Sequence, residues 1–68
     1  MTAEETVKFM LVNTANINTD LMMACRETAD SAWADGKYDI AEHLCYQAVL
    51  YRRFIDKLEA RVAALEGA

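Results

Sequence analysis

A chain of 68 residues is expected to form one domain, 1–68, too small to be secure alone without a staple or a partner. With 54% apolar residues, no Pro and only two Gly, the composition excludes a disordered chain and favours helix, and no window approaches the roughly 18 apolar residues of a membrane span. The net charge of −4 is uneven: residues 1–42 carry eight acidic against three basic side chains, residues 43–68 three against four.

The first residues, Met-Thr-Ala-Glu-Glu, lack the basic start of a signal peptide, so a cytoplasmic protein is expected. Thr2 with Glu5 three residues on has the form of a capping box, which predicts a helix from about residue 3. Along it Val7, Met10, Thr14, Ile17, Leu21, Ala24, Thr28 and Ser31 alternate steps of three and four, the spacing of an apolar seam. Leu11, Cys25 and Ala32 widen that stripe. The stretch Asn13-Thr-Ala-Asn-Ile-Asn-Thr-Asp20 is rich in poor helix formers, whose side chains compete for backbone groups. The seam leaves this stretch in the phase in which it enters, with Ile17 on the seam. One helix over about 3–35 is therefore expected. The alternative is a break near Asn16–Asn18 and a second start capped by Asn18 or Thr19.

Gly36 in Ala34-Asp-Gly-Lys-Tyr-Asp39 can close the first helix in a left-handed conformation, and Asp39 with Glu42 reads as the cap of the next. Trp33 and Tyr38 flank this turn. A second helix is expected over about 40–66, with a seam of Ala41, Leu44, Ala48, Tyr51, Ile55, Leu58, Val62 and Leu65 in the same alternation. So short a link predicts an antiparallel, all-α two-helix hairpin, with small seam residues (Ala24, Thr28, Ala32, Ala41, Ala48) near its turn and larger ones at its open end. Stripes this wide predict pairing into a dimeric four-helix bundle. Thr14 and Asn18 would be polar groups able to fix its register. The expected self-association seam is Val7, Met10, Leu11, Thr14, Ile17 and Leu21 with Leu44, Ala48, Tyr51, Ile55, Leu58, Val62 and Leu65.

Gly36-x-Tyr38-x-x-Ala41 followed by Ala48 resembles the middle of a tetratricopeptide repeat over about 20 residues. Cys45 stands where that family has an aromatic, and both expected helices outrun the repeat. The resemblance implies hairpin packing and no function.

Off the seams, Tyr46, Val49, Leu50 and Arg53 form one candidate partner-binding patch, and Phe9, Val12 and Met23 a second; aromatic residues, Met and Arg are types that interfaces favour. Arg53, Lys57 and Arg61 recur every four residues as a basic stripe, a candidate nucleic-acid contact set against the net acidity. There is no phosphate-binding loop, no nucleophile motif and no zinc spacing. His43, the one histidine, and Cys45 fall on different faces of a helix, and Cys25 and Cys45 fit no disulfide framework. No enzyme, cofactor or metal is expected. The leading expectation is a self-associating interaction protein that binds, and adapts or inhibits, a larger protein, as small acidic helical regulators of phages and mobile elements do. A nucleic-acid-binding regulator and a structural assembly subunit are the alternatives.

Overall fold

The computed structural model describes residues 1–67, which form two helices packed against each other as a hairpin: α1, Ala3–Ala34, and α2, Tyr38–Gly67. Thr2 caps α1: its Oγ1 accepts from the Glu5 N–H at 3.1 Å and donates to the Glu5 carboxylate at 3.2 Å. Helix α1 then runs unbroken through the Asn-rich stretch. The polar side chains there are accommodated by their own helix. Thr14 Oγ1 donates to the Met10 carbonyl, Asn18 Nδ2 to that of Thr14 and Thr19 Oγ1 to that of Ala15, each at 2.8 Å. The hydroxyl donor of Thr14 and one of the two amide donors of Asn18 are thus already occupied within α1.

The turn is a Schellman motif. Gly36 takes φ +75°, the Lys37 N–H bonds to the Ala32 carbonyl at 2.8 Å and the Gly36 N–H to that of Trp33 at 3.1 Å. Helix α2 begins at once, with Ala41 N–H bonded to the Lys37 carbonyl at 3.0 Å. Asp39 therefore lies inside the first turn instead of capping it, and its carboxylate faces the positive end of the helix dipole. Trp33 and Tyr38 pack edge to face across the turn, ring centroids 4.8 Å apart.

The turn also sets the rotational phase of α1. Its bond to Lys37 holds Ala32 beneath the start of α2, and the residues at heptad spacing behind Ala32 are Cys25, Asn18 and Leu11. The contact line of α1 is therefore Leu11, Ala15, Asn18, Met22, Cys25, Ala29 and Ala32, all buried or half-buried. This corrects the seam read from the sequence, which lies one residue, or 100°, away. Val7, Met10, Ile17, Leu21, Ala24, Thr28 and Ser31 are exposed, and Ile17 is 53% accessible where burial was expected. Thr14, half-buried, is the one member of that series near the contact. The α2 seam lies where the spacing placed it: Ala41, Ala48, Ile55 and Leu58 are buried, and Leu44, Tyr51, Val62 and Leu65 half-buried.

The core is a thin line of two clusters. Leu11, Ala15 and Leu58, backed by Val62 and Leu65, fill the open end; Met22, Ala48 and Ile55, backed by Cys25 and Tyr51, fill the middle. Towards the turn the buried residues are alanines, Ala29, Ala32 and Ala41, so the hairpin is tight there and fuller at its open end. Lys8 bridges to Glu66 at 2.7 Å across the open end; both side chains are about half exposed, so the pair contributes little.

The hairpin is elongated. Its radius of gyration is 15.5 Å, against about 11 Å for a compact chain of this length. It exposes 5100 Å², against about 4300 Å² for a compact monomer of 7.7 kDa.

Candidate functional site

Two rods side by side have two broad faces, and the grooves at the open end show which residues share each. One groove is lined by Val7 and Leu11 of α1 and Arg61, Ala64 and Leu65 of α2. The groove on the opposite face is lined by Val12, Ala15 and Asn16 with Glu59, Val62, Ala63 and Glu66. Heptad steps preserve the face, so each set can be followed to the turn.

The Val7 face carries, along α1, the whole exposed series from Val7 through Met10, Ile17 and Leu21 to Ser31. Along α2 it carries Ile40, Gln47, Phe54 and Arg61 at one spacing and His43, Leu50, Lys57 and Ala64 at the other. Seven large apolar side chains are exposed here: Val7, Met10, Ile17, Leu21, Ile40, Leu50 and Phe54. Helix α2 puts no carboxylate on this face; its fixed charges are Lys57 and Arg61, towards the open end, where Glu4 of α1, one heptad before Leu11, also stands beside Leu65. On α1 the centre of this stripe lies 100° round the helix from the contact line with α2.

The Val12 face is mixed. Phe9, Val12 and Met23 of α1 and Val49 of α2 are exposed on it, Phe9 at 64%. Around them stand Arg26, Asp30, Glu42, Arg52, Asp56, Glu59 and Glu66, with an ion pair of 3.5 Å between Arg52 and Asp56. Cys45, a free thiol, is exposed on this face, while the free thiol of Cys25 is half-buried in the core line.

The candidate patches sort onto these faces differently from their sequence grouping. Phe9, Val12 and Met23 fall together, as expected of one patch. The Tyr46, Val49, Leu50 and Arg53 set is divided: Val49 belongs with the Val12 face, Leu50 with the Val7 face, and Tyr46 and Arg53 form the outer ridge of α2 between them. The basic stripe is exposed throughout, but a step of four residues turns 40°, so it winds from Arg53 on the ridge to Arg61 in the groove beside Val7. No carboxylate of the described residues lies within 4 Å of its three cations. Ile40, Gln47 and Phe54 follow one another at seven-residue spacing in the sequence beside the α2 seam. Their coincidence with the Val7 series was not legible there, because that requires knowing which flanks of two helices meet.

The chemistry available here is that of surfaces. The grooves are shallow and open, His43 is exposed on α2, and the described residues hold no cluster of three potential metal ligands. No helix is long and apolar enough to cross a membrane. Comparison with protein-family models, curated proteins and solved structures finds no match. The reading of function therefore rests on the two faces alone.

Proposed function

We propose that this chain is a non-enzymatic protein-interaction module of the cytoplasm, a self-associating helical hairpin that binds a larger protein and adapts or occludes it. One observation carries this reading: both broad faces of the hairpin expose large apolar side chains along its length, while the core between the helices contains only four large buried ones, Leu11, Met22, Ile55 and Leu58. Apolar residues scattered singly on a surface mean little, but continuous stripes mark contact surfaces. The Val12 face, with Phe9, Val12, Met23 and Val49 inside a rim of charge and Tyr46 and Arg53 on the adjoining ridge, has the apolar centre and polar rim of a transient protein interface.

The test is affinity capture from the native host with wild type and with Val12→Asp/Val49→Asp. The reading predicts a discrete protein retained by wild type and lost with the variant, whose helical circular dichroism and mass in solution stay those of wild type. Retention of the same protein by the variant would contradict it. A second reading, binding of RNA or DNA along Arg53, Lys57 and Arg61, is favoured by the absence of carboxylate partners for them among the described residues. It predicts retention on nucleic acid that falls steeply with salt and is abolished by Arg53→Glu/Lys57→Glu; retention unchanged by those substitutions removes it.

A further inference from the structure

We propose that the Val7 face is covered by a second copy of the chain, docked face to face and end to end, so that the turn of each hairpin lies over the open end of the other. This rests on the self-association proposed above and assigns it a face and an orientation. Three observations support it.

The first is geometric. In a four-helix bundle each helix needs two contact lines about a quarter-turn apart, one for its hairpin mate and one for a helix of the other hairpin. Helix α1 has both: the buried Leu11–Ala32 line, and the exposed line beginning at Val7, 100° from it and in the same three-four alternation. The second is area. The hairpin exposes on the order of 800 Å² more than a compact monomer of its mass, about what each partner contributes to a standard stable interface. Its Cα envelope, 51 Å by 17 Å across the broad face, can supply that area.

The third is charge, and it selects the orientation. On the Val7 face the fixed cations Lys57 and Arg61 both lie towards the open end, while the carboxylates nearest the turn lie off that face, Asp30 and Glu42 on the Val12 side and Asp39 on the outer ridge. Stacking turn on turn would bring all four cations of the two copies, Lys57 and Arg61 from each, into one layer. Turn over open end separates the two turns by about 45 Å, the rise of 30 helical residues, and removes like-charge juxtaposition, which costs affinity. In that orientation α1 lies antiparallel on the second copy's α1 with a two-fold axis near Thr19. Met10 then meets the second copy's Thr28, Val7 its Ser31, and Ile17 its Leu21, so large side chains oppose small ones at both ends and similar ones meet at the axis. On α2, Phe54 approaches its own copy near the same axis.

Sedimentation equilibrium across about 1–100 μM and a spin-label distance test this together. Wild type is expected at twice 7.7 kDa. Ile17→Ala/Leu21→Ala, which keeps helix propensity and leaves the inner line untouched, is expected to weaken the dimer on the order of 100-fold, and Val12→Ala/Met23→Ala less than threefold. A nitroxide at Lys37→Cys, with Cys25→Ser and Cys45→Ser, is expected to give a pair distance of 45 Å or more; a distance below about 25 Å would mean turn on turn and overturn the orientation. A monomeric wild type, or a dimer weakened only by the Val12-face pair, would overturn the proposal. A monomer that still captures a target through the Val12 face would sink this inference together with the self-association, and leave the target-binding part of the function standing. A dimer that captures nothing would do the reverse.

Discussion

The two helices use the same spacing to different ends. Helix α2 carries one uninterrupted apolar line, and the hairpin buries that line. Helix α1 carries two, one residue apart: Val7, Met10, Ile17 and Leu21 on one, Leu11, Ala15, Met22, Ala29 and Ala32 on the other. The bulkier line is the one left outside. Periodicity states that a helix has an apolar face; which of two adjacent faces turns inward is decided by what the chain does at its ends. Here the decision is made at the turn, where the Lys37 N–H on the Ala32 carbonyl at 2.8 Å leaves no slack.

The contrast between the lines can be broken most severely from inside. Ile55 is fully buried against Met22 and Ala48. Ile55→Asp would put an uncompensated charge there at a cost of several kcal/mol, against the ~5 kcal/mol that a single small core supplies. Loss of the cooperative thermal transition by circular dichroism is expected; a variant melting like wild type would mean Ile55 is not in the core. Met22→Ala is milder and is expected to cost about 2–4 kcal/mol in urea unfolding, mostly from the space left beside Ile55. Ala48→Leu tests the close approach of the helices from the other direction, with overpacking expected to cost about 1–3 kcal/mol. Gly36→Ala has no neighbour to strike, since nothing lies within 4 Å of the added methyl. Only the left-handed backbone at φ +75° opposes it, at about 1–2 kcal/mol. The smallest effect is expected for Lys8→Ala, which removes the half-exposed pair with Glu66: under about 1 kcal/mol, and less at high salt.

Much of the fold was legible in the residues. Thr2 with Glu5 marked the start of α1, Gly36 its end, and the alternation from Ala41 to Leu65 fixed which side of α2 is inside. Continuity through Asn13–Asp20 was legible from the unbroken phase alone; the back-bonds of Thr14, Asn18 and Thr19 to carbonyls four residues earlier explain why the polar stretch does not interrupt the helix. The phase of α1 was not legible, because Leu11, Cys25 and Ala32 could be read as the margin of the bulkier stripe. Their claim to the contact depends on hydrogen bonds at the turn that no spacing records. The same turn displaced the start of α2 to Tyr38, leaving Asp39 beyond the cap. The candidate surfaces were legible residue by residue but not face by face: Leu50 and Val49 are neighbours in sequence and lie on opposite sides of the molecule.

Adjacent residues of α1 give the most direct test of which line faces α2. With methyl-labelled Ile, Leu and Met, nuclear Overhauser contacts of the Ile55 methyls should run to the Met22 methyl within the chain, and those of Leu58 to Leu11. Contacts from Ile55 to Leu21 or Ile17 in place of Met22 would place the bulkier line inside and contradict the account.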